Sequence, residues 1–97
     1  MPPRATVVVN ATHPGTVIAD RLASRGRTQL WLSQQVQVSD GFISRLLRGQ
    51  NNLTAALALR LEAALGLSAQ RLMRMQADYD LAEARAQALR QRFAEYA

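Results

Sequence analysis

Residues 28–49, "TQLWLSQQVQVSDGFISRLLRG", decide the fold. Thr28 can cap a helix in which Leu32 and Val36 recur at i and i+4. Ser39 repeats the signal, capping a second helix that Gly49 ends, with Ile43, Leu46 and Leu47 as its inner side. Between the two lies a tight turn around Gln37. Leu32, Val36, Val38, Ile43 and Leu46 are spaced to pack between these helices, which is the arithmetic of a helix-turn-helix.

Outward from this stretch the chain is punctuated into more helices. Pro14 suits the first turn of a helix, with Thr12 or His13 as its cap; Ile18 and Leu22 mark the apolar side and Gly26 the end. After the polar turn "GQNN", Thr54 caps a helix with Leu57, Leu61 and Leu65 inside and Gly66 as its stop. Ser68 caps a fifth, and nothing breaks it before the end of the chain. No strand pattern follows residue 10. Residues 1–11, with Pro2, Pro3 and the β-branched "TVVV", have no helical period and read as a flexible arm. The predicted class is all-α: an arm over 1–11, a helical domain over 12–80 and a helical extension over 81–97.

That extension has a further pattern. Leu72, Met75, Tyr79, Ala82, Ala86, Leu89, Phe93 and Tyr96 alternate three and four apart, a heptad seam. Its first half can pack on the domain. Beyond about Asp80 the seam is expected to meet another chain, because exposed Leu89, Phe93 and Tyr96 would otherwise form an unprotected apolar stripe.

The chain has 97 residues, 48% of them hydrophobic and 20% charged, which fits one small globular domain. There is no cysteine, so disulfides and thiolate metal sites are excluded. No apolar run reaches the length of a membrane span or a secretory h-region, and a cytoplasmic location is the expectation. The net charge is +5, carried wholly by arginine. It is uneven: residues 1–51 hold six arginines against Asp20 and Asp40, whereas residues 52–97 hold six against five acids. A positive first half suits a polyanion, nucleic acid above all, although solubilising surface charge gives the same sum. Catalysis is not expected. His13 has no cysteine or acidic cluster near it in sequence, Asp78 and Asp80 point to different sides of a helix, and no phosphate loop is present. No metal or other cofactor is implied.

The "TQ…LS…VS…IS…G" skeleton resembles the Cro/phage-repressor (XRE) class of helix-turn-helix. Beyond it, "HPG" at 13–15, "ISRLLRG" at 43–49, "LTAALALRLEAALG" at 53–66 and "MQADYDL" at 75–81 resemble, in order, the HigA antitoxin family. The "HPG" start together with the "QADYDL" end is the selective part. The resemblance implies a five-helix Cro/repressor-like domain with an extended last helix. It also implies a homodimer that binds operator DNA in its own promoter and neutralises a HigB-type mRNA-cleaving ribonuclease toxin. A stand-alone repressor without a toxin, and a toxin-binding module that has lost DNA binding, are the alternatives. The chain departs from the family at Gln37, where a glycine is usual, and at Arg71 and Leu72, where bulky aromatics are. Leu30 and Trp31 also replace polar residues on the outer side of the first motif helix.

Carried over by position, the DNA face comprises Ser39, Asp40, Gly41, Ser44, Arg45 and Arg48, with Gln29, Gln50, Asn51 and Asn52 on phosphates. Arg45 is the expected base reader, since a guanidinium can bond guanine O6 and N7 together. Arg48 is the expected phosphate clamp, and Ser44 can do either. Asp40 can accept from cytosine, but its simpler role is to favour the helix dipole. Gly41 allows close backbone approach; Phe42 either touches a thymine methyl or lids the core. Trp31 either packs under Val7–Val9 of the arm or contacts a partner. Trp31, Tyr79, Leu89, Phe93 and Tyr96 are the candidate dimer or toxin contacts.

Overall fold

The computed structural model describes residues 11–96, with side chains through Phe93, so residues 1–10 of the expected arm and the Tyr96 ring lie outside the described residues. Five α-helices and no strand occur among the described residues: α1 (Pro14–Ser24), α2 (Gln29–Val36), α3 (Asp40–Leu47), α4 (Ala55–Leu65) and α5 (Ala69–Tyr96). Each start has a chemical cause. His13 caps α1, Thr28 caps α2, Ser39 caps α3 and Thr54 caps α4, each side chain accepting a backbone N–H of the first turn. Ser68 does the same for α5, accepting from Arg71 N at 3.2 Å. Of the two cap candidates for α1, the histidine is used.

The core lies where the five helices converge. Ile18, Leu32, Val36, Ile43, Leu46, Ala58, Leu61 and Leu65 are fully buried, and Leu22, Leu53, Leu57, Leu67 and Leu72 nearly so. Of the five apolar residues expected inside the two motif helices, Leu32, Val36, Ile43 and Leu46 belong to this set, whereas Leu47 is half-buried and packs, like Val38, against its edge. α2 packs on α3 and α4, α1 on α3 and α5, and α4 on α5. Two arginines hold helix ends rather than facing a ligand. Arg21 Nη1 donates to Leu65 O at 2.6 Å and Arg60 Nη1 to Val36 O at 3.1 Å, satisfying carbonyls that α4 and α2 leave open.

α5 runs 28 residues, and its sides change character along the way. Leu72, Gln76 and Ala82 are buried, Met75, Tyr79 and Ala86 half-buried, and Leu89 and Phe93 exposed. Gln76 is the buried residue that the apolar seam does not contain. Its Oε1 accepts the Leu53 N–H at 2.8 Å and its Nε2 donates to Asp80 Oδ1 at 2.9 Å, so both ends of the amide are paired. No described helix is long and apolar enough to cross a membrane.

Candidate nucleic-acid interface

The turn of the motif forms as a left-handed residue. Gln37 has φ 58° and ψ 46°, and Val38 N donates back to Ser33 O at 3.1 Å, closing α2 in the way a glycine there would. α3 therefore leaves α2 sharply and presents one side outward. Ser39, Asp40, Gly41, Arg45 and Arg48 are exposed and Ser44 is half-buried. Gln29, in the first turn of α2, is exposed too, as are Gln50 and Asn52 in the loop after α3.

Three side chains are more organised than their sequence foretells. Arg48 Nη1 donates to Ser44 Oγ at 2.7 Å, one turn back, which orients the guanidinium and occupies the serine. Arg45 folds toward the start of its helix, with Nη1 3.4 Å from where a Cβ on Gly41 would be. Asn51 turns inward, its Nδ2 3.4 Å from Phe42 O, while the neighbouring Gln50 and Asn52 stay open to solvent. Asn51 is thus a fastener between loop and helix. Asp40 lies in the first turn of α3, where a negative charge is favoured by the helix dipole, and Ser39 accepts the Phe42 N–H at 3.0 Å. Phe42 packs against the core, as a lid does.

Trp31 is half-buried against the core rather than on the outer side, and only Leu30, at 56% exposure, stands out there. The Arg27 guanidinium stacks over the indole at 4.7 Å, a cation–π contact that sequence reading missed. Val7–Val9, the suggested cover, lie outside the described residues. Tyr79 is half-buried with its ring edge-on to His13. Leu89 and Phe93, at 53% and 67% exposure, keep the apolar side of α5 open.

Within this geometry His13 is the residue that sequence reasoning undervalued. It is buried, and both ring nitrogens are used: Nδ1 accepts from Gly15 N at 2.9 Å and Nε2 donates to Asn51 O at 3.0 Å. Gly15 has to be a glycine, because a Cβ would run into the Leu46 carbonyl oxygen. The readable signal was the triplet "HPG", which marked a helix start without disclosing what the histidine touches.

Comparison with known proteins agrees with this architecture. The family model described as helix-turn-helix matches residues 18–72. Virulence-associated protein I of Dichelobacter nodosus is 36% identical over 72 residues, 73% of this chain and 67% of that protein. Among solved structures, the antitoxin HigA of Pseudomonas aeruginosa with the higBA promoter is 30% identical; the match covers 84% of this chain and 90% of that one, with a TM-score of 0.76. A Pseudomonas aeruginosa protein in complex with its operator DNA is likewise 30% identical over 84% of this chain and 91% of its own, with a TM-score of 0.75.

Proposed function

Since the chain belongs to the XRE-type helix-turn-helix family, we propose that it is an antitoxin that represses its own promoter as a DNA-bound dimer. The observation that carries this reading is α3: a capped, core-anchored helix whose outer side offers Arg45 and a braced Arg48. The likeness to an antitoxin solved with its promoter supports it. In this reading α3 enters the major groove, and the exposed Gln29, Gln50 and Asn52 meet phosphates on either side. Arg45 reads guanine and Arg48 clamps the backbone. Two copies present their α3 helices about one DNA turn, roughly 34 Å, apart.

The second activity is neutralisation of a HigB-type ribonuclease, with the open side of α5 at Leu89 and Phe93 as the proposed surface for toxin or second subunit. Two experiments test the pair of activities. A mobility shift on the DNA upstream of its own reading frame, at low and high salt, tests the first. Co-purification with the product of a short basic reading frame beside it tests the second. A promoter shift without a co-purifying neighbour would leave a repressor alone; capture of the neighbour without a shift would leave a toxin-binding module.

A further inference from the structure

His13 joins three parts of the molecule that are far apart in sequence. Its Nδ1 holds the first turn of α1 through Gly15 N, and its Nε2–H reaches Asn51 O, 38 residues away. Its ring meets that of Tyr79 edge-on, 4.9 Å between centroids and 86° between planes. A helix cap needs only the first of these, and asparagine supplies it as well as any residue. The second and third have nothing to do with capping. They lead to the loop after α3 and to α5.

The loop end of this chain of contacts lies at the DNA face. Asn51, whose carbonyl accepts the hydrogen bond from His13 Nε2–H, donates through its side-chain amide to Phe42 O of α3. Gly49 packs on the imidazole, where an added Cβ would be 3.5 Å from Cγ. Gly15 lets the backbone of α1 touch the Leu46 carbonyl of α3. The segment so pinned, 48–52, begins with the phosphate-clamping arginine and carries Gln50 and Asn52.

We propose that His13 is a positioning residue for DNA binding, fixing the 48–52 loop and the end of α3 against α1 and α5. The proposal rests on the DNA-binding reading above. It assigns the histidine, which touches no DNA, a share of the affinity. Through Tyr79 it also makes the seating of α5 bear on the pose of α3.

His13→Asn isolates the effect, since it keeps an acceptor for Gly15 N and removes the ring and the Nε2 donor. The variant is expected to keep its helical circular dichroism while its affinity for the promoter duplex falls about tenfold, the scale of one lost hydrogen bond. The salt dependence should shrink by about one phosphate contact. The Gln50 amide, bonded to Arg45 O at 2.8 Å, should exchange its hydrogen faster. A folded His13→Asn protein with unchanged affinity, salt slope and Gln50 exchange overturns the proposal. Should that variant not fold, Tyr79→Leu takes its place, with a smaller loss expected in the same three readouts and no change in any of them overturning it. If the wild-type chain binds no promoter DNA, the DNA reading falls; Gln50 exchange then decides the loop-fixing role of His13 by itself, and unchanged exchange removes it.

Discussion

Gln37 occupies the left-handed region at φ 58°, a conformation that costs an L-residue with a side chain about 1–2 kcal/mol. Local propensity in the run "QVQVS" does not announce a left-handed residue; the family resemblance, which has a glycine at position 37, and the capping signals on both sides, Thr28 and Ser39, point to it by requiring the chain to turn there. Gln37→Gly is expected to stabilise the protein by about 0.5–1 kcal/mol after the entropy of the glycine is subtracted. Scanning calorimetry would then show a Tm about 3–6 °C higher. At the DNA face, Arg45→Ala is expected to relax base preference at one operator position, worth about 1–3 kcal/mol. Arg48→Ala should instead weaken binding to all sequences alike and lower the salt slope by about one unit. Titrations of both variants on matched and mutated operators check the pair, and an unchanged preference in the first removes Arg45 as the reader. The exposure of Arg45 and Arg48 was legible because helix position alone makes them solvent-facing. The inward turn of Asn51 and the bond from Arg48 to Ser44 were not, because each depends on which rotamer a neighbouring element permits.

At the scale of elements, hydrophobic spacing and caps were sufficient. Leu32, Val36, Ile43 and Leu46, picked out by their period, are all fully buried, since a short helix has only one side to turn inward. The last helix was harder to divide. A heptad count treats Leu72 and Phe93 alike, yet one is buried and the other open, because the domain spans only the first part of α5. From Glu83 to Phe93 every residue but Ala86 is exposed. The buried Gln76 fell outside any apolar pattern for the converse reason: a polar residue can be interior when a backbone N–H, here that of Leu53, is aimed at it. If the distal side is a protein contact, Leu89→Gln with Phe93→Gln should abolish self-association or toxin capture. Thermal stability should move by no more than about 0.5 kcal/mol, as for other surface changes. Sedimentation and co-purification give the first result and thermal melting the second; full retention of both assemblies would place the contact elsewhere.

For the molecule as a whole, the charge sum of +5 conceals a division of labour. Arg21 and Arg60 donate to carbonyls at helix ends and Arg27 lies over Trp31, whereas Arg45 and Arg48 stand on the outer side of α3. Composition points toward a polyanion, but only the three-dimensional arrangement says which cations are free to meet it. The described molecule measures 49 × 28 × 21 Å, and α5 at 1.5 Å per residue is about 42 Å long, so this helix accounts for most of the long dimension. Because α5 has no break, the angle between its Tyr79 side and its Phe93 side is set by residue count alone, at about 100° per residue. One alanine inserted after Glu83 would swing Leu89 and Phe93 about 100° away from their present bearing, while seven would return them to within about 20°. In a dimer joined through Leu89 and Phe93, a mobility shift should therefore show promoter binding weakened more by one inserted residue than by seven. An unbroken helix makes the relative bearing of the two surfaces a matter of counting, and a single inserted codon is enough to disconnect them.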